Sequence, residues 1–239
     1  TIGVAQNADK AVMCVTAVGK GARHVARMCY SSGTRKPNIP GLAPSARYLG
    51  PYLSHDGSTS AEISRRVAAT TRAYKALGGF WYSWVDFGMK VITFRSIILG
   101  TLVSGLTGFV LSDADYNSMQ SALAVLGRKV LQGYASFTTV EPGGTEVTRA
   151  LSNEEVLAVL KIPPLRIEMA AQRLKMWQAI ASCPSNHQLL LSVFFGKLRC
   201  EIDNELADLE HPWYVQLRND FKLLECIDEA AWLSPLLCA

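Results

Sequence analysis

Ser96 to Ser112 (SIILGTLVSGLTGFVLS) runs 17 residues without a charge, and this run constrains the fold more than any other stretch of the chain. An apolar segment of that length must be buried in a protein interior or in a bilayer, and a helix needs about 20 mostly apolar residues to span a bilayer. The run is shorter than that, is interrupted by Gly100, Ser104, Gly105, Thr107 and Gly108, and follows directly on Arg95. We read it as part of a buried core helix from about Met89 to Leu106 and expect no membrane partner. A membrane-associated helical protein built around this segment is an alternative. Burying such a helix needs other apolar surface, and 239 residues at 49% hydrophobic supply enough for one large or two small domains. A disordered, collagen-like or disulfide-stapled chain is excluded by the same composition.

Helical punctuation surrounds the run. Ser58 or Thr59 can cap a helix that has Glu62 in its first turn, where the helix dipole favours an acid. Ile63, Val67, Thr70, Tyr74 and Leu77 recur at the spacing of one helix face. At about 100° per residue, Arg65 and Arg72 point to the opposite side and Lys75 to its flank. Gly78-Gly79 should end this helix, and a Trp-rich connection, Phe80 to Gly88, leads on to the buried one. We assign Trp81 and Trp84 there, and Trp177 later, to core or domain packing rather than base stacking. Ser112 or Asp113 caps a helix with Tyr116, Met119, Leu123, Leu126 and Val130 on its apolar side, ending at Gly133.

Pro142-Gly143-Gly144 marks a polar linker. Beyond it, Ser152 and Glu155 form a capping box for a short helix that stops at Pro163-Pro164, and a longer helix runs from about Leu165 to Ala181. A second capping box at Ser185 to Gln188 opens a further helix. Pro212 begins the last one, with Trp213, Leu217, Phe221 and Leu224 at helical spacing. No internal repeat or low-complexity tract is present.

The first fifty residues have a different texture. Ala11 to Ala17 is strand-like, a loop rich in Gly, Ser, Pro and bases runs from Gly33 through Pro44, and Arg47 to Leu53 offers a short strand or hairpin with Gly50-Pro51 as its turn signal. The expected fold is therefore mostly α with a small β portion at the N-terminus. Charge follows this division. Residues 1–50 carry seven bases and one acid, 51–150 nine and seven, and 151–239 eight and twelve, so the net +4 conceals a gradient from +6 through +2 to −4. A basic end points to a polyanion, although a basic solvated surface without a partner has the same composition. Thr1 is not a methionine and no signal peptide follows, so the sequence reads as a piece of a longer polypeptide.

A self-contained active site is not evident. The cysteines at 14, 29, 183, 200, 226 and 238 show no Cys-x-x-Cys spacing, which fits scattered reduced thiols in a cytoplasmic or nuclear protein. Cys183, His187, Cys200 and His211 are the nearest approach to a metal set, but their spacing fits no common zinc pattern. Gly19-Lys20-Gly21 is too short for a phosphate-binding loop. Asp113 and Asp115 are accounted for by capping. Glu201, Asp203, Glu205, Asp208 and Glu210 read as a solvated acidic face followed by a loop, and no histidine pairs with a nucleophile by spacing.

Three groups of residues resemble one family. Gly3-x3-Asn7-x2-Lys10 before a strand resembles the palm motif that follows the catalytic aspartates in reverse transcriptases of non-LTR (LINE-type) retrotransposons. Arg47-Tyr48-Leu49-Gly50, then Ser54-His55-Asp56-Gly57 and a helix with Glu62-Ile63-x-Arg65-Arg66, is similar to the family's primer-grip hairpin leading into the thumb. Ser152-Asn-Glu-Glu-Val156, Pro163-Pro164-Leu165 and Arg173-Leu-Lys-Met-Trp177 resemble the helical segment after the thumb. Their order and spacing agree over residues 1–185. Ala11 departs from the Thr or Ser that often follows the motif's lysine.

The resemblance implies a palm remnant at 1–54, a helical thumb at 55–135, a linker at 136–150 and a helical post-thumb segment at 151–239. It implies an RNA-directed DNA polymerase whose Mg2+-binding aspartates lie upstream in the parent protein. The chain has no aromatic-Ala-Asp-Asp sequence, so alone it should be inactive and hold no cofactor. Lys10 matches the lysine near the incoming triphosphate, as a phosphate contact or proton donor, or is an ordinary surface lysine. Arg47, Tyr48, Leu49 and Gly50 would place the primer end, with Tyr48 and Leu49 a packing ridge or simply sheet core. Arg65, Arg72 and Lys75 would meet the sugar-phosphate backbone, or form a solvated charged face. The implied partners are an RNA/DNA hybrid or duplex and the rest of the parent polyprotein, at an intracellular location. The rival from another class is a helical protein-interaction or scaffolding module whose basic end is incidental.

Overall fold

The computed structural model describes residues 14–15, 20–21, 24–25, 28–29, 42–47, 51–54, 56–140, 146–182, 198–202, 205–209 and 212–224. These residues are mostly helical, as the periodicity requires. The chain forms two compact units, Thr1–Arg65 and Arg66–Ala239.

In the first unit, β1 (Ser45–Arg47) pairs antiparallel with β2 (Tyr52–Ser54), Arg47 lying opposite Tyr52. This is the hairpin expected around Gly50-Pro51. The strand expected at Ala11 to Ala17 lies outside the described residues except for Cys14 and Val15. Helix α1 (Ser60–Ala76) starts in this unit, with the Ile63 amide donating to the Thr59 carbonyl. Ile63, Thr70 and Tyr74 are buried and Val67 half-buried along α1, so its apolar row lies where the spacing puts it.

The second unit carries most of the core. Gly78-Gly79 does not end the helical path: after Leu77 the chain enters a short helix α2 (Gly78–Trp81), and neither glycine adopts a positive φ. Trp81 accounts for this. Its indole stacks on Tyr74 at 5.2 Å and Nε1 donates to the Tyr74 carbonyl, giving the end of α1 a hydrogen-bond partner without a glycine cap. Trp84, in contrast, is fully exposed, so its assignment to packing is corrected. It lies in the connection between α2 and the next helix, whereas Trp81 and Phe94 on either side of that connection are buried.

The chain is helical from α3 (Phe87–Thr93) through a π-helical segment (Phe94–Leu99) to α4 (Gly100–Val103), so the uncharged run is in this helix only as far as Val103. Val91, Phe94, Ile98, Leu99, Leu102 and Val103 are buried, while Met89, Ile92 and Ile97 face solvent. The expected buried helix is thus buried on one side only. Gly105, at φ 74, turns the chain out of it through a left-handed conformation that a side chain would resist. No helix among the described residues is long and apolar enough to cross a membrane.

Ser112 and Asp115 form a capping box at the start of α5 (Asp113–Leu131), and Tyr116, Met119, Leu123, Leu126 and Val130 are all buried. The helix stops at Leu131, with Gln132 rather than Gly133 at positive φ. The segment expected to be a linker contains β3 (Ser136–Val140) and β4 (Glu146–Ala150), paired antiparallel. Its β-branched residues, Thr138, Thr139, Val140, Val147 and Thr148, favour strands over a coil. The Ser152–Glu155 capping box opens α6 (Asn153–Val159) as expected, and α7 (Leu165–Ser182) follows.

Further on, β5 (Leu198–Ile202) and β6 (Glu205–Leu209) form a hairpin where a helix and an acidic face were expected. Leu-Arg-Cys-Glu-Ile alternates apolar and polar residues with the period of two that marks a strand, whereas Glu-Leu-Ala-Asp-Leu has Leu206 and Ala207 in succession and lacks that signal. Strands are therefore not confined to the N-terminal part. The second capping box, Ser185 to Gln188, lies outside the described residues. Pro212 is the first residue of α8 (Pro212–Leu223), and Trp213, Leu217 and Phe221 pack with Trp177 and Ile180 of α7.

Candidate nucleic-acid interface

Of the residues expected to touch nucleic acid, Lys10, Tyr48, Leu49 and Gly50 lie outside the described residues. Arg47 ends β1 and is exposed. The other three lie on α1 and have different surroundings.

Arg65, in the first unit, is held by Glu62 one turn earlier. Its Nη2 donates to Glu62 Oε1 at 2.7 Å and its Nε to Oε2 at 3.0 Å, while its guanidinium lies 5.5 Å from the Tyr52 ring centre. The Glu62 side chain is fully buried and also accepts the backbone N–H of Tyr52 at 2.9 Å. The Glu62 hydrogen bond raises the Arg65 pKa, outweighing the lowering by burial. Glu62 thus does more than complement the helix dipole: it ties α1 to β2 and neutralises Arg65. Spacing did indicate this pair, since residues three apart are helix neighbours.

Arg72 and Lys75, in the second unit, are exposed and have no hydrogen-bond or ion-pair partner among the described residues. Two cations three residues apart on one helix, with the neighbouring Thr70 and Tyr74 buried, can reach successive phosphate oxygens without reading bases. Arg66, at the start of this unit, brings Nη2 close to the Gly105 turn.

A polar centre that sequence reasoning missed lies elsewhere in the second unit. Arg173 on α7 is completely buried; its Nη2 donates to Asp220 Oδ1 on α8 at 2.8 Å and to the Tyr116 hydroxyl on α5 at 3.1 Å, and its Nε donates to Asp220 Oδ2. Gln216 Nε2 donates to Asp220 Oδ1 at 3.1 Å. Burial pulls the Arg173 pKa down, but the hydrogen bond and charge of Asp220, with the contribution of Tyr116, raise it overall. Arg173 Nη1 is buried without a hydrogen bond among the described residues. This cluster fixes the relation of α5, α7 and α8 and is closed to solvent. The one advance signal was an arginine in the same row as Met169, Trp177 and Ile180.

Among the described residues no group of His, Cys, Asp and Glu could hold a metal ion, and Cys183, His187 and His211 lie outside them. No family model, curated protein or solved structure matches the chain.

Proposed function

We propose that this chain is the palm edge, thumb and following helical segment of an RNA-directed DNA polymerase of the non-LTR retrotransposon type, and that it holds the primer-template hybrid. The observation supporting this is α1: an apolar row turned inward, with Arg72 and Lys75 exposed and without partners among the described residues. A hybrid duplex offers phosphates along both strands, and cations fixed on a rigid helix bind them without sequence preference. Arg65 contributes less, because Glu62 already balances its charge. Nucleotidyl transfer belongs to aspartates of the parent protein upstream of this sequence, so the chain by itself binds without polymerising. An intracellular site of action and attachment to a parent polyprotein follow from the same reading.

The test is anisotropy of a labelled RNA/DNA hybrid titrated with the 239-residue chain over a salt series. Affinity should fall steeply as salt rises, independent of sequence. Replacing both Arg72 and Lys75 with Ala should reduce the magnitude of the log–log slope by about 1–2, since each lost phosphate contact removes about 0.9. An unchanged slope would sink the interface, and no binding at low salt would sink the function.

A further inference from the structure

Trp84 is fully exposed, three residues from the fully buried Trp81. The loop that displays it is firmly built. Ser83 Oγ donates to the Phe80 carbonyl at 2.7 Å, Lys90 Nζ donates to the Ser83 carbonyl at 2.8 Å, and the Gly88 amide donates to the Asp86 carboxylate at 2.7 Å. Trp81 anchors its start, stacked on Tyr74 of α1 and meeting Phe94 edge-on at 6.1 Å. The exposed indole therefore stands just beyond the end of the helix that presents Arg72 and Lys75. Tyr82 and Phe87 beside it are also exposed.

Charge favours one kind of occupant. From Arg66 to Leu111 the chain carries five bases, Arg66, Arg72, Lys75, Lys90 and Arg95, and one acid, Asp86. That acid already accepts the Gly88 amide at the start of α3. A segment with net +4 and exposed aromatic rings complements a polyanion with flat faces, and single-stranded nucleic acid has both properties.

We infer that Trp84 is a stacking platform for an unpaired base, so that a single strand continuing from the hybrid is held at the end of the basic helix. This rests on the hybrid-binding reading and adds a ligand that duplex binding does not require. Its experiment uses the full chain with a labelled single-stranded oligothymidylate and, separately, a blunt RNA/DNA hybrid.

In a Trp232→Phe background, which leaves Trp84 as the exposed tryptophan beside the buried Trp81, Trp177 and Trp213, oligothymidylate should quench tryptophan emission and shield it from acrylamide. Trp84→Ala should abolish that shielding and weaken single-strand binding by about fivefold or more, while Trp84→Phe retains most of both. Blunt-hybrid affinity and thermal unfolding should hardly change, as the removed side chain lies in solvent. Equal single-strand affinity of wild type and Trp84→Ala would overturn the inference while leaving hybrid binding intact. Conversely, Trp84-dependent shielding without salt-dependent hybrid binding would remove the proposed function and keep the platform. Binding of phosphatidylserine vesicles or self-association that depends on Trp84, without oligothymidylate binding, would overturn it in favour of a lipid surface or a second copy.

Discussion

Arg173 on α7 and Arg72 on α1 each lie within about one turn of an aromatic residue of their own helix, Trp177 and Tyr74, yet their surroundings are opposite. Arg173 is sealed among α5, α7 and α8 with Asp220 and Tyr116 as partners, whereas Arg72 stands in water. The difference comes from an aspartate 47 residues further along the chain, on α8, that accompanies one arginine into the interior. A buried guanidinium organises helices and has little left to offer a ligand. An exposed one contributes little to folding and keeps its charge for phosphates.

The sharpest way to break that contrast is to remove Asp220. Asp220→Ala leaves Arg173 buried and uncompensated, and should destabilise the fold by about 3–5 kcal/mol, read as a lower midpoint in urea. Replacing Arg173 with Met and Asp220 with Leu together should recover most of the loss, because the penalty lies in the unmatched charge rather than in the missing attraction. A midpoint unmoved by Asp220→Ala would mean that water reaches the pair. A smaller effect is expected where α5 packs against α6. A Cβ on Gly127 would lie 2.8 Å from Leu160 Cδ1 and 2.9 Å from Val156 Cγ1. Gly127→Ala should therefore cost about 1–3 kcal/mol in overpacking, reduced by about 1 kcal/mol of helix propensity. A stabilised variant would show that Leu160 and Val156 yield easily.

The exposed side should behave in the opposite manner. Arg72→Ala with Lys75→Ala should change stability by no more than about 0.5 kcal/mol, since both side chains are exposed and neither has a partner among the described residues. Its effect should appear only in the salt dependence of hybrid binding. A double variant that melts early would place these residues with Arg173, as structural charges.

What could be read in advance divides along the same line. The helix starts at Ser112 and Ser152, the start of α8 at Pro212 and the apolar rows of α1 and α5 rest on local rules, and the structure has them at those places. The buried ion pair was not legible, because helical spacing shows which face Arg173 is on but not that an acid on α8 meets it. Trp84 was misread for a related reason. Aromatic residues close together in sequence suggest one core cluster, but Trp81 packs with Tyr74 and Phe94 while Trp84 is on the surface. Strand β5 was legible by alternation, whereas β6, with Leu206 next to Ala207, was not. On α1, Arg72 and Lys75 are exposed as their angles required, whereas Lys10, Tyr48, Leu49 and Gly50 lie outside the described residues.

Arg149 sharpens the comparison from between the two extremes, because it has a partner and yet remains in water. It lies over the Phe137 ring at 4.6 Å and donates twice to Glu155, from Nη2 at 2.7 Å and from Nη1 at 3.0 Å. Those bonds, with the Ser152 backbone and hydroxyl behind them, lower the Glu155 carboxyl from its ordinary 4.5 to about 2. A carboxylate with a depressed folded-state pKa stabilises the fold when ionised. Its contribution is therefore complete above about pH 4.5 and is lost as the pH falls toward 2. With both partners solvent-exposed, the loss should be small and local, seen as faster amide exchange in the first turn of α6 rather than as unfolding. Glu155→Gln should remove the acid dependence of that exchange, and added salt should weaken it in the wild type. A carboxyl resonance titrating near 4.5 would show that the pair does not persist in solution, leaving burial rather than partnership as what separates Arg173 from the exposed arginines.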